Sequence, residues 1–489
     1  MTNKYLNSLR EEDNVTLTEN LAKTNKSTLN DLLDFYGSCG ALRTRSEQEI
    51  TSLFSKAFGE DKLYAMKCLF YCRDIRGGQG ERRTPKIIYN WLATHHSEYL
   101  LKNLEHIPFY GRWDDIFVLR NTPLEDKMVS LIKTQLSEDL DSDHPSLLGK
   151  WMPSENASSD KTKELALWFI KKLEITPRSY RKLLSKLRSK IRIVEKQMCA
   201  NQWDNINYER VPSKASMLYR KAFSRHSPDR YVEYLNSVEK GEAKINTKAI
   251  FPYELMRNII DFNGWDCSPK PYNKTIAMQW DNLPDYIEDG EQSIVVCDTS
   301  GSMRGLPINV SVSLSIYFAE RNKGPWQNHF ITFSVQPELQ RIIGSNVFEK
   351  AGNLANANWD GNTNIQAVFD LLINTAVKHQ VDPEDMLDTV YIISDMEFDQ
   401  ATYGSQNKTN FEVIRSKYEQ AGYKMPKLVF WNVDSRNDQH PITINDQGVF
   451  LVSGCSPSIF KHVIESKTMN AVDLMKEVLN NERYQKVVV

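Results

Sequence analysis

An α-helical array followed by a doubly wound α/β domain is the fold this sequence predicts, and three observations predict it. From Asp31 to about Phe262, apolar residues recur at three- and four-residue spacing, broken at clusters such as RGGQGERR, FYGRWDD and MPSENASSD. After residue 285, short β-branched apolar runs alternate with helical ones, the pattern of a parallel sheet covered by helices. Between the two lie the Pro-containing DCSPKPYNKT and the acidic DYIEDGEQ, which place the boundary near residue 285.

Taken in order, residues 1–30 are polar and rich in Asn, Thr and Lys, the composition of a loose tail. Residues 31–285 form the array. Helices are expected in EQEITSLFSKAF, KLYAMKCLFYCRDI and PKIIYNWLATHH, and one long helix in residues 178–197, RSYRKLLSKLRSKIRIVEKQ. That helix keeps Tyr180, Leu183, Leu184, Leu187, Ile191 and Val194 on one face. Many helices in series without strands read as a solenoid of HEAT-like type, although no fixed-period repeat is visible. Residues 286–489 form the α/β domain: SIVVC, HFITFS, TVYIISD, KLVFWNV and GVFLVSG are its strands, and NIQAVFDLLINTAVKH and FEVIRSKYEQAG are among its helices.

The 489-residue composition, 40% hydrophobic and 25% charged, is that of an ordinary globular protein. No run of 18 apolar residues occurs and the first residues lack the apolar core of a signal peptide, so a cytoplasmic, intracellular location with no membrane contact is expected. Seven cysteines without framework spacing point to reduced thiols. The net charge of -2 divides into +4 for residues 1–290 and -6 for residues 291–489. Much of the basic excess is local, since residues 171–226 hold 15 Lys/Arg and 4 Asp/Glu, which suggests an anionic partner.

Chemistry concentrates where SIVVC runs into DTSGS. Asp298, Ser300 and Ser302 stand at the carboxyl end of a buried strand, where open α/β sheets bind ligands. A carboxylate with two hydroxyls suits a hard cation. Thr363 follows in a Gly/Asn loop that opens a helix, and Asp395 ends another apolar strand. Alone, DTSGS also reads as a helix N-cap. Together the three motifs resemble the metal-ion-dependent adhesion site of von Willebrand factor A domains, which have a Rossmann-like fold. The resemblance implies Ser300 and Ser302 as direct ligands of Mg²⁺, or of another divalent cation such as Mn²⁺ or Ca²⁺. Asp298, Thr363 and Asp395 would bind directly or through water. That family usually has Gly after the late Asp, whereas Met396, Glu397 and Asp399 follow here. Either this acidic loop supplies an internal carboxylate to the open metal position, or Asp399 caps the next segment.

An enzyme is not expected. Aspartyl phosphotransferases need a second Asp two residues after the nucleophile, and Ser300 occupies that position.

The stretches LFYCRDIRGGQGERR, HIPFYGRWDD and LLGKWMPSENASS resemble the helical region of the Ro ribonucleoprotein family. They resemble more closely an uncharacterised family that joins such a TROVE-like region to an A domain. The resemblance implies binding of a small structured RNA, with a protein partner docking through the metal as the alternative. Independently, Arg181, Lys182, Lys186, Arg188 and Arg192 line the outer faces of the helix at 178–197, placed to meet phosphates or simply to be solvated. The Arg/Gly loop around Gly77, Gly78 and Gly80 lacks the ending of a P-loop. Cys68 and Cys72 lack two further zinc ligands in reach. Trp113, Trp151 and Trp203 are candidates for stacking on bases, although most such tryptophans pack.

Overall fold

The computed structural model describes residues 13–191, 193–263, 266–287, 292–334, 336–356, 363–400, 409–468 and 470–489. Where a loose tail is expected, residues 13–30 are folded. β1 (Val15–Leu17) and β2 (Lys23–Asn25) pair antiparallel, and Leu21, at φ +64°, helps turn the chain between them. The Thr18 hydroxyl accepts the Ala22 N–H at 2.9 Å and donates to the Phe398 carbonyl at 2.7 Å. At the open end of the hairpin, Asn25 and His440 exchange backbone hydrogen bonds of 3.1 and 2.8 Å. The polar residues that look like a tail are therefore spent on loops of the C-terminal half.

Helices occupy Glu47–Glu60, Lys62–Arg73 and Arg83–His95, as their periodicity predicts. Ser46 and Glu49 cap the first of them reciprocally. Two features depart from the expected array. β3 (Ile260–Asn263) and β4 (Asp266–Pro269) form an antiparallel pair within it. The helix expected across 178–197 runs only from Pro177 to Lys190, and a second one follows at Val194–Cys199. Tyr180, Leu184 and Leu187 are buried as expected, but Val194 leaves that face for a separate small core with Ile206, Tyr208 and Phe223. The β-branched run Ile191, Ile193, Val194 is a weak helix former, so tertiary packing decides where it breaks.

The C-terminal half is built on one six-stranded sheet. Its strands are β5 (Ser293–Cys297), β6 (His329–Thr332), β7 (Leu339–Arg341), β8 (Thr389–Ser394), β9 (Lys427–Asn432) and β10 (Val449–Ser453). They lie in the order β10-β9-β8-β5-β6-β7. All neighbours are parallel except β6 and β7, which form an antiparallel edge. From β5 the chain moves to β6 on one side and later returns as β8 on the other. The loops after β5 and β8 therefore flank the switch point of the sheet.

One hydrophobic core runs from Ala22 to Val487, through both halves of the chain. The helix Asp31–Ser38, of the N-terminal half, packs on β10. There Gly40 lies so close to Gly454 that a Cβ on Gly40 would sit 2.7 Å from the Gly454 Cα. Gly454 itself has φ +102° and faces Gln79 of the RGGQGERR stretch. In the other direction, the helix Ala471–Leu479 packs on Lys62–Arg73. Beyond it the Arg483 guanidinium and the Tyr484 hydroxyl both donate to the buried Asp74 carboxylate, at 2.7 Å and 3.1 Å. Asn103 closes the chain end with bonds of 2.6 and 3.0 Å to Val488.

This joint is open to test. Gly454→Ala forces a side chain into the left-handed region and against Gln79, and should cost on the order of 3 kcal/mol. Gly241→Ala has the same backbone difficulty, at φ +76°, but open space around it, and should cost about 1 kcal/mol. Urea unfolding followed by circular dichroism compares them; equal losses would show that the joint is not tight.

Candidate metal centre

The switch point beside β5 gathers candidate metal ligands singled out from the sequence. β5 delivers Asp298 fully buried, its backbone N–H bonded to the Ile393 carbonyl of β8 at 3.3 Å. The Asp298 Oδ1 accepts the Ser300 N–H at 2.9 Å, which turns the chain so that the Ser300 and Ser302 hydroxyls lie 3.0 Å apart. From β8, Asp395 reaches the same place, with the Ser302 hydroxyl and the Asp298 charge against its carboxylate. Four of the five candidate ligands are thus brought together.

Thr363 is held beside them in another way. Its hydroxyl donates to the Glu397 carbonyl at 2.7 Å and lies 3.1 Å from Asp399 Oδ1, and its N–H reaches Asp399 Oδ2 at 3.0 Å. No hydrogen bond joins it to Asp298, Ser300 or Ser302 among the described residues. Asp399 is therefore tied to the Thr363 loop, and its charge is felt at Asp298.

Met396 takes φ +68° and is buried. The backbone at this position has the left-handed conformation that favours Gly, held here by the Met396 N–H bonded to Ser394 Oγ at 3.1 Å. The strained turn points Glu397 inward. Its Oε2 accepts the Glu19 N–H at 2.7 Å and its Oε1 the Asn437 amide at 2.9 Å. Asn20, from the N-terminal hairpin, donates to the Glu397 carbonyl at 2.7 Å and to Thr363 Oγ1 at 3.2 Å. Glu397 is thus spent on the hairpin and on Asn437 and does not serve as an internal ligand in this arrangement.

Arg436, in the loop after β9, places Nη2 2.8 Å from Asp395 Oδ2 and 3.4 Å from Glu19 Oε2. Glu19, Asn20 and Arg436 carry no signal in the sequence, because each is a common polar residue in a polar loop.

Electrostatics favours an added cation. Burial, together with the neighbouring Asp399, raises the Asp298 carboxyl above its ordinary range despite bonds from serines. Asp395 is pushed up to about 7, first by burial and then by Asp298, with Ser302 and Arg436 opposing. Asp298 Oδ2 is buried and has no hydrogen-bond partner among the described residues. Two carboxylates and two hydroxyls, all hard oxygen donors with one lone pair set unused, fit Mg²⁺, Mn²⁺ or Ca²⁺. Among the described residues no three His, Cys, Asp or Glu side chains group to hold a metal by themselves, so the hydroxyls and water would have to complete the shell.

The basic candidates are placed differently. The Arg188 guanidinium is turned inward, donating to the Gly149 carbonyl, Ser154 Oγ and the Met152 carbonyl at 2.8–2.9 Å. Arg181 pairs with Glu155. Lys182 and Lys186 are exposed, and Arg192 lies outside the described residues. The RGGQGERR stretch proves to be part of the joint between the halves, and neighbouring Arg73 forms a buried pair with Asp115 at 2.6 Å. All seven cysteines are free thiols, and no helix among the described residues is long and apolar enough to cross a membrane.

Comparison with known proteins assigns a family. Residues 292–487 match a domain of unknown function, DUF7788, and residues 18–113 and 170–291 match another, DUF2828. Uncharacterized protein L728 of Acanthamoeba polyphaga mimivirus is 32% identical over 511 residues, which cover 95% of this chain and 87% of that protein. The chain belongs to the family of that protein. Among solved structures, the Deinococcus radiodurans RO (RSR) protein aligns with 93% of this chain and 100% of its own at 13% identity, with a TM-score of 0.35. A likeness that low carries no argument here.

Metal binding is checked by thermal unfolding with Mg²⁺ or Mn²⁺. A ligand that binds only the folded chain stabilises it by about 2.7 kcal/mol at a hundredfold excess over Kd, and Asp298→Ala with Ser300→Ala should abolish that shift. Protons compete for Asp395: its folded pKa lies above the unfolded one, so the metal-free fold loses stability as pH rises from about 4 to 7. The metal-induced shift should accordingly be larger at pH 8 than at pH 6. Equal shifts in parent and double variant would refute the site.

Proposed function

We propose that the chain is a non-enzymatic RNA-binding scaffold whose C-terminal half, similar in plan to a von Willebrand factor A domain, carries a divalent-cation site. The observation that carries the RNA reading is a stripe of cations. Arg178, Lys182 and Lys186 follow one another at four-residue spacing on the helix Pro177–Lys190, all exposed and without an acidic partner among the described residues. Like charges at this spacing repel by a few tenths of a kcal/mol per pair. An anion laid along the stripe removes that cost and releases its counterions. The buried ends of the neighbouring Arg188 and Lys190 hold the helix in place beneath it, with Lys190 Nζ 3.0 Å from the Ser142 carbonyl.

A second reading, a protein-interaction adaptor without RNA, is favoured by the unpartnered Asp298 Oδ2. A hard cation takes six or more oxygen ligands, so one held there by two carboxylates and two hydroxyls would keep coordination positions for a carboxylate from a protein partner. Among the described residues the polar groups at the centre are carboxylates, hydroxyls and Arg436, without a His or Lys beside them.

Filter binding of a small structured RNA across a salt series separates the readings. The intact chain should bind with a steep salt dependence, and Lys182→Gln with Lys186→Gln should flatten the slope by roughly one unit per lost contact. Arg188→Gln should instead lower the melting temperature. Absence of RNA retention at every salt concentration would remove the RNA reading and leave the adaptor.

A further inference from the structure

The basic stretch also carries an aromatic pair at the edge of the small core around Phe223, against which Trp203 packs while His226 lies outside it. Trp203, in the 3-10 turn Trp203–Asn205, and His226, at the end of the helix Ser213–His226, stack with ring centres 4.2 Å apart and planes 6° from parallel. Other tryptophans are covered: Arg112 sits 4.1 Å over Trp151, and Phe54 and Phe58 pack edge-on to Trp91. Trp203 is half-buried and His226 is exposed. Both line an open cavity of about 490 Å³ whose remaining walls are Asn201, Gln202, Asp204 and Asn205.

The turn is held rigidly. Trp203 Nε1 donates to Asn201 Oδ1 at 2.7 Å, with Asn201 itself at φ +56°. The Arg230 guanidinium donates to the Trp203 and Ile206 carbonyls, each at 3.2 Å. Asp204, the carboxylate in the lining, accepts the Ser227 hydroxyl at 3.0 Å. The side-chain amides of Gln202 and Asn205 form no hydrogen bond among the described residues and present both donors and acceptors. Lys221 and Arg225, on the helix that ends in His226, are exposed and have no acidic partner among the described residues.

We infer that this cavity is a subsite for one unpaired nucleobase of single-stranded RNA, which extends the Trp203–His226 stack while Gln202 and Asn205 bond its edge. Every base has a flat π face, so stacking of this kind tolerates sequence. The exposed Lys221 and Arg225 meet the flanking phosphates. The inference rests on the RNA reading above and adds to it a place where the strand must be unpaired. It gives a use to the exposed His226 ring, which is stacked on Trp203 where Trp203 packs against the edge of the small core.

The test uses the full chain and a single-stranded oligonucleotide carrying 5-bromouridine, with a duplex of the same sequence and free uridine monophosphate beside it. Trp203→Ala and His226→Ala should each weaken the single strand about tenfold, the effect of one lost stacking contact, while leaving the salt slope unchanged. Trp203→Phe should restore most of the affinity, and irradiation should attach the bromouridine to Trp203 or His226. Single-strand binding by the parent that both alanine variants retain in full would overturn the subsite alone. Failure of the parent to bind any RNA would overturn the RNA reading and the subsite with it. Binding of uridine monophosphate as tight as that of the oligonucleotide would assign the cavity to a free nucleotide and overturn the claim for RNA.

Discussion

Asp74 is buried completely, and besides the nearby Arg76 N–H the groups that satisfy its carboxylate are Arg483 and Tyr484, more than four hundred residues away. A buried charge without a partner is costly, so the helix Lys62–Arg73 and the loop that follows it are committed to the C-terminal segment. The rest of the joint follows from that commitment. Gln79 lies against Gly454, Gly40 meets Gly454 backbone to backbone, and Tyr110 stacks on Tyr484 with ring centres 5.6 Å apart. The two halves share one core. Elements that read as two successive domains are thus interlocked at both chain ends.

The candidate metal centre depends on the same interlocking. β5 and β8 alone would bring Asp298, Ser300, Ser302 and Asp395 together, since the switch point of a parallel sheet does that by topology. The loop after β8 needs more. Met396 holds a conformation unfavourable for a side chain, at a cost of order 1–3 kcal/mol. The bonds that offset it come from Gln439, Asn437 and the N-terminal hairpin. Arg436 meanwhile gives Asp395 a positive neighbour, which limits the repulsion between two buried carboxylates. A divalent cation bound there would take over that role, and its binding would then be coupled to the position of Arg436.

How much of this was legible follows from range. The strands SIVVC and TVYIISD and the carboxylates at their ends could be read, because period, composition and turn residues are local signals. The helix at 178–197 was misjudged at Ile191–Val194, since the small core around Phe223 that draws Val194 away is invisible in a window of that length. Arg188 looked like a solvent-facing cation because its partners, Gly149, Met152 and Ser154, lie over thirty residues back. The hairpin at 13–30 reads as a tail because its stability comes from hydrogen bonds to residues 397–440 and not from apolar residues of its own. The glycines of RGGQGERR read as a loop without a P-loop ending, and the group that approaches them is this chain itself: a Cβ on Gly78 would meet the Tyr71 backbone, and Gly80, at φ +64°, faces Phe251.

The central claim is that the N-terminal hairpin, the loop 395–399 and the joint between the halves form one cooperative unit. Native-state hydrogen exchange at single-amide resolution tests it most directly. The account predicts that the amides of Ala22 and Asn25 in the hairpin exchange with the same opening free energy as those of Asp399 and His440, and that Mg²⁺ slows all of them together. Fast exchange of the hairpin amides while Asp399 stays protected, with or without the metal, would contradict it.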